Sequence, residues 1–250
     1  MRSAKIRILF LMAVTITAPL TLSQCARNRQ PRLVLWAWER PENLAFINPR
    51  EISVAFLART IRLQADETIV RPRLQPLKFA PGTELIAVAR IEAEHPTLSP
   101  TQLSETVAAL RQMAQLANIQ AIQIDFDAKA SEREFYRSLL QTLRQQLPAQ
   151  MPISITALAS WCIHDDWLSE LPINEAVPML FRLGVEQDEI RNYLASGKPF
   201  RSKVCQNQLG VSTDEPFALL KAKAPNKVYV FTPQPWSAAE VNKVLQEWRQ

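Results

Sequence analysis

The chain has 250 residues, 47% of them apolar and 21% charged, a balance that excludes a disordered polymer and allows one large domain with a sizeable core. Its four glycines, Gly82, Gly184, Gly197 and Gly210, lie far apart, which excludes a glycine-rich dinucleotide or P-loop turn. The two histidines, His95 and His164, form no HExxH or Cys/His cluster, and no GxSxG elbow is present, so no motif asks for a metal or another cofactor.

The N-terminal "MRSAKIRILFLMAVTITAPLTLSQC" starts basic and runs apolar from Ile8 to Leu22, with Pro19 inside. That stretch is shorter than the about 20 apolar residues a spanning helix needs. It has the layout of a secretory signal. Its end, "LSQC", resembles a bacterial lipobox: Leu22, Ser23 and Cys25 fit, and Gln24 departs from the usual small residue. Residues 1–24 therefore read as a lipoprotein-type signal peptide, with Cys25 as the lipidated residue and 25–250 as a single domain. The expected location is the bacterial cell envelope, on the periplasmic side, with the membrane as partner through the lipid. An ordinary signal peptide with secretion, or an uncleaved anchor with Cys25 incidental, is the alternative. Residues 1–24 hold Arg2, Lys5 and Arg7 and no acid, so their removal lowers the formal charge from +5 to +2. The remaining bases are scattered, and no nucleic-acid partner is expected.

Eight β-rich runs follow: "LVLWAW" (33–38), "ISVAFLA" (52–58), "ELIAVARI" (84–91), "IQAIQIDFD" (119–127), "PISITALAS" (152–160), "AVPMLFRLG" (176–184), "LGVST" (209–213) and "KVYVFTP" (227–233). Most are continuously apolar, as strands of a parallel sheet covered on both faces should be. Helical patterns occupy 99–118, with Ser99 or Thr101 as cap, and 131–147, where Ser131 and Glu134 form a capping-box pattern. Shorter helices are predicted over 186–196, 215–223 and 237–248, the last opening on Ser237 and Glu240. Residues 60–83 break the alternation. They contain Pro72, Pro76 and Pro81 and predict a β-hairpin in place of the second helix. The fold class is thus α/β, a TIM-like (β/α)₈ barrel, with an open sheet of fewer strands as the alternative.

Working residues of such barrels stand at the C-terminal strand ends. Those ends offer Trp36, Trp38 and Glu39, then Arg90 and Glu92, then Asp125 and Asp127. Further along come Trp161, His164, Asp165 and Asp166, then Arg182, then Asp214 and Glu215, and last Gln234 and Trp236. Aromatic faces stack on pyranose rings, and carboxylates and guanidinium groups bond to hydroxyls, so carbohydrate is the expected partner. In "QAIQIDFDA" Asp125 and Asp127 are two apart, about 6.6 Å between Cα atoms on one strand face, with Gln123 behind them. Two like charges so close raise the pKa of one, and a carboxyl held protonated can act as general acid. Paired carboxylates are the machinery of glycoside cleavage. A hydrogen-bonded structural pair bracing the loops is the competing reading. Cys162 and Cys205 either pair or remain free and buried.

The strings "VLWAWERPENL", "QIDFDA", "SITALASWC", "VPMLFRLG" and "YVFTPQPW" resemble an uncharacterised bacterial family, domain of unknown function 3142, over nearly all of residues 32–237. "QAIQIDFD" is also distantly similar to the DxxDxDxE of chitinase-type (family 18) glycoside hydrolases. That resemblance puts Asp125 on the aspartate that assists the substrate acetamide and Asp127 on the general acid. Met179 and Phe181 fall on a Met-x-Tyr element, and Trp236 on the tryptophan under the sugar. Two departures bear on the acetamide route: Asp127 is one methylene shorter than glutamate, and Phe181 lacks the tyrosine hydroxyl.

Together these readings predict an exported barrel that binds and hydrolyses a glycan, with Asp127 as acid and Asp125 as its partner. Glu39, Arg90 and Arg182 would orient the sugar, Trp36 and Trp236 would stack on it, and Trp38, Glu92 and Asp214 would complete the rim. A catalytically silent glycan-binding envelope protein, and an enzyme of another class with Mg²⁺ or Ca²⁺ on the acidic rim, are the rivals.

Overall fold

A computed structural model describes residues 31–95, 97–216 and 225–249. The signal segment, Cys25 and most of the predicted helix over 215–223 lie outside these residues.

The strands are β1 (Arg32–Ala37), β2 (Glu42–Leu44), β3 (Ile52–Gln64), β4 (Glu67–Pro72), β5 (Leu77–Phe79), β6 (Leu85–Ala93), β7 (Ile119–Asp125), β8 (Ile153–Leu158), β9 (Glu175–Met179), β10 (Gln208–Ser212) and β11 (Lys227–Phe231). The helices are α1 (Pro100–Met113), α2 (Arg133–Gln146), α3 (Ala159–Ile163), α4 (Gln187–Ala195) and α5 (Ala238–Arg249). Strands β1, β3, β6, β7, β8, β9, β10 and β11 pair in parallel in that order, and β1 pairs with both β3 and β11, so the barrel closes. An open sheet is thereby excluded.

The second unit departs from the barrel repeat as its sequence predicts. After a register shift between Leu57 and Arg59, β3 runs on past the barrel and turns back at Ala65 and Asp66 into antiparallel β4. Gln102 of α1 fastens the tip of this hairpin. Its side-chain oxygen accepts the Ser99 N–H in a capping box, while its amide nitrogen donates to the carbonyls of Ala65 and Glu67. Strand β5 pairs with β2, outside the barrel.

Helix α2 starts later than its capping-box pattern predicts. The turn Ala130–Glu132 precedes it, Glu132 is the cap residue, and Ser131 makes no cap. In α5 the Ser237 hydroxyl accepts the Glu240 N–H at 3.1 Å, as expected.

Two apolar layers follow from the parallel topology. One fills the space between strands and helices. The other fills the barrel itself with Val34, Trp36, Ala55, Ile86, Val88, Val177, Tyr229 and Phe231, so the barrel is a packed core and no pore. At the N-terminal end polar groups close it. Lys227 Nζ lies 2.9 Å from Glu175, Tyr229 Oη donates to the same carboxylate at 2.5 Å, and Arg32 pairs with Glu84 at 2.8 Å. Cys162 and Cys205 form a disulfide with their Cα atoms 5.9 Å apart. The segment before Cys205 folds over α3, where the Arg201 and Ser202 N–H groups donate to the Cys162 carbonyl. Among the described residues no helix is long and apolar enough to cross a membrane.

Candidate functional site

The C-terminal end of the barrel is open. It forms a bowl of about 580 Å³ lined by residues from β1, β6, β7, β8, β9, β10 and β11 and the loops that follow them. Two arginines absent from the sequence reading shape its wall. Arg73 donates to the carbonyls of Trp38 at 2.5 Å and Arg40 at 2.6 Å, which holds the turn after β1. Arg40 in turn donates to the carbonyls of Thr232, Pro233 and Gln234 after β11, and pairs with buried Glu42 at 2.7 Å. The first and last strand ends are thus stitched together by guanidinium groups on backbone oxygens.

Asp125 is the last residue of β7 and faces the bowl at 7% exposure. In the parallel register Arg90 of β6 stands directly beside it. Arg90 donates to Asp125 Oδ2 at 3.0 Å, and Thr156 of β8 donates to Oδ1 at 2.8 Å. Burial pushes the Asp125 carboxyl above the usual aspartate range; Arg90 pulls it down and Asp127 adds to the rise. Arg90 also pairs with Glu92 at 3.1 Å, and Glu92 with Arg62 at 2.9 Å. Burial opposes ionisation of Glu92, but the two guanidinium groups hold its carboxyl below the usual range. Phe126, between the two aspartates, points the other way into the strand–helix layer and packs on Tyr136 at 5.1 Å.

Asp127 lies past the strand end, exposed, and lines the same bowl. It makes no hydrogen bond or ion pair with any described residue. The two acids therefore reach one hollow, as the spacing predicts, but in different states. One is buried and bridged, and one is open.

The aromatic assignments need correction. Trp236 is not in the bowl. It is 5% exposed, its indole N–H donates to the Trp36 carbonyl at 2.9 Å, and its backbone N–H donates to Glu42. Its aromatic bulk belongs to the strand–helix layer. Trp36 does line the floor, but at 1% exposure, with its N–H on Gln123 Oε1 at 2.9 Å, it has no free face for a sugar. The half-buried rings that reach the hollow are Trp38 and Phe181, with Phe231 beneath them. Trp38 stands edge-on to Trp36 and lies under the Arg90 guanidinium at 5.6 Å. Phe181 packs on Phe231 at 4.9 Å. Gly210 permits this floor, because a Cβ there would meet Met179 Sδ at 2.8 Å.

Other predicted rim residues divide in the same way. Arg182 lines the bowl in a left-handed conformation (φ 51°), with its N–H on Glu215 at 2.8 Å. Asp214 stands 3.6 Å from the Arg182 guanidinium; the Ser212 hydroxyl, then Arg182, holds its carboxyl below the usual range. Glu39 is exposed outside the bowl and accepts the Leu74 N–H. Asp165 pairs with Arg133 and Asp166 with Arg201, both away from the hollow. Among the described residues no group of three or more His, Cys, Asp or Glu side chains is placed to hold a metal ion.

Fold and site define a closed (β/α)₈ protein whose polar side chains converge on an aromatic-floored hollow at the strand ends. Residues 81–174 match the family model described as "Domain of unknown function (DUF3142)". That stretch carries Arg90, Asp125, Asp127 and Thr156. No curated protein matches the sequence. Among solved structures, the chain is similar to the Bacillus cereus spore cortex-lytic enzyme SleL, with 16% identity and a TM-score of 0.47 over 73% of this chain and 51% of that one. It thus spans about half the length of that enzyme. It is also similar to the chitinase domain of the spore coat protein CotE from Clostridium difficile, with 12% identity and a TM-score of 0.45 over 85% of this chain and 68% of that one.

Proposed function

We propose that the open end of the barrel binds a glycan and hydrolyses it, with Asp127 as general acid. The observation that carries this reading is the contrast within the bowl: an exposed carboxylate with no partner among the described residues shares the hollow with half-buried Trp38 and Phe181. A sugar ring offers a matching surface, apolar on its faces and hydroxylated at its edge. In this reading Asp127 gives its proton to the glycosidic oxygen as the C–O bond breaks. Water supplies the hydroxyl that ends on the anomeric carbon, and its proton returns to the carboxylate. Asp125 and Arg90 act as a positioning pair beneath it, because a carboxylate bridged by a guanidinium and a threonine hydroxyl is not free to attack. Arg182 and Trp38 orient the ring.

A catalytically silent glycan-binding role is the second reading. The bridge that occupies Asp125 favours it, since glycoside cleavage ordinarily uses two carboxylates. Turnover of an oligosaccharide panel by wild type and Asp127→Asn separates the two. The hydrolytic reading predicts released product from wild type and at least a hundredfold less from the variant. Equal turnover removes Asp127, and binding without product from wild type leaves the silent role.

Export to the cell envelope belongs to the same proposal. The Cys162–Cys205 disulfide supports it, because such bonds persist in oxidising compartments. The mass of the mature N-terminal peptide tests it: an acylated Cys25 is expected, and an unmodified Cys25 overturns the lipid anchor.

A further inference from the structure

The hairpin that replaces the second helix reaches the bowl because β3 carries one extra residue. Up to Leu57 the odd-numbered residues of β3 face the barrel interior: Ala55 belongs to the inner layer, and Leu57 stands beside Val88 of that layer. Ala58 is skipped in the pairing with β6, and the register resumes with Arg59 beside Ala89. A one-residue insertion turns every later side chain to the other face. Thr60 and Arg62 therefore share the face of Arg90 and Glu92, their neighbours in register, while Ile61 and Leu63 go to the strand–helix layer. The Glu92 carboxylate takes one guanidinium on each oxygen: Arg90 Nε donates to Oε1 at 3.1 Å, and Arg62 Nε donates to Oε2 at 2.9 Å. Arg90 Nη1 donates to Asp125. A guanidinium is planar, so bonds at Nε and Nη1 fix the direction of Nη2. Nη2 itself makes no hydrogen bond with any described residue. The Arg90 side chain is 34% exposed, lines the bowl and lies over the Trp38 ring. It offers the bowl a charged donor that is accessible, held in one direction and without an acceptor of its own.

We propose that Arg62 and Glu92 are positioning residues: they aim Arg90 Nη2 at an oxygen of the glycan seated at Trp38, which makes the hairpin part of the site. The inference rests on the glycan reading of the bowl and adds to it a fixed donor and its support. Arg62 does not line the bowl and acts through Glu92. Support of the fold does not account for the pair. Its side chains are 42% and 36% exposed, and an ion pair so open to water braces a structure weakly. Its effect is on direction. Without Arg62 one oxygen of Glu92 is released, the carboxylate turns, and Arg90 Nε turns with it. Nη2 then samples several directions, and the ordering of that long side chain falls to the ligand.

The test is calorimetric titration of the full chain with hexasaccharides of β-1,4-linked glucose, α-1,4-linked glucose and β-1,4-linked N-acetylglucosamine. Whichever binds wild type is carried through the variants, each checked by its thermal unfolding curve. Arg62→Met and Glu92→Gln should each weaken binding about tenfold. Their melting temperatures should stay within about 3 °C of wild type, which a merely structural pair would not combine with lost affinity. Arg62→Lys keeps a cation beside Glu92 and should recover most of the loss. The double variant should bind no worse than the weaker of the two single ones, because both act through Arg90. Wild-type affinity in both single variants, or additive losses in the double one, overturns the positioning role and leaves the bowl reading intact. Binding of none of the three sugars to wild type overturns both. If Glu92→Gln does not fold, the loss in Arg62→Met and its recovery in Arg62→Lys decide.

Discussion

The two ends of the barrel carry the same chemistry and use it differently. At the N-terminal end Glu175 meets Lys227 and Tyr229, and Glu84 meets Arg32 and Ser53, so these carboxylates are matched and the end is shut. At the C-terminal end Asp125 is matched by Arg90 and Thr156, while Asp127, two residues on, is left open. Paired charges at one end brace strands. One unpaired among the described residues, in a hollow it shares with aromatic rings, is kept for something that is not part of the chain. The difference between brace and site lies in which carboxylates lack partners, and hardly at all in residue type.

That contrast can be broken at both ends. The largest effect is expected at Arg90. Arg90→Met leaves Asp125 buried without its cation and should cost about 3 kcal/mol at pH 7 in denaturant unfolding. The loss should shrink toward pH 4. Burial raises the folded-state pKa of Asp125 above its unfolded value, so protonation of that group favours folding below the unfolded value. This contribution fades as pH rises through the folded-state pKa, and a protonated Asp125 needs no counter-ion. By the same sign, Asp125→Asn should flatten the fall in stability between the ordinary aspartate range and neutrality; an unchanged slope would contradict the assignment. Next is Tyr229→Phe. It removes one hydrogen bond from Glu175, which keeps Lys227, and should cost about 1 kcal/mol while sugar affinity stays within twofold. The smallest stability change belongs to Asp127→Asn, within about 0.5 kcal/mol. A large loss there would make Asp127 a brace like the others.

The strands were readable because a parallel barrel buries both faces of each one, so runs such as "LIAVA" are apolar without interruption. The hairpin was readable from its prolines and alternation. Asp125 and Asp127 were readable as neighbours because strand spacing is local. The state of Asp125 was not, since Arg90 lies on another strand and only the register between β6 and β7 sets them side by side. Trp236 was misplaced for a related reason. Its position after β11 is visible in the chain, but the hydrogen bond that turns its indole onto the Trp36 carbonyl spans most of the sequence. Arg40 and Arg73 gave no signal, because they act on backbone oxygens that every residue has.

A crystal structure with an oligosaccharide soaked to saturation tests the central claim most directly. A pyranose ring seated against Trp38 and Phe181, with one of its oxygens within hydrogen-bond reach of Asp127, is the predicted result. A ring bound elsewhere while the bowl stays empty, or Asp127 turned onto a neighbouring cation, would contradict it.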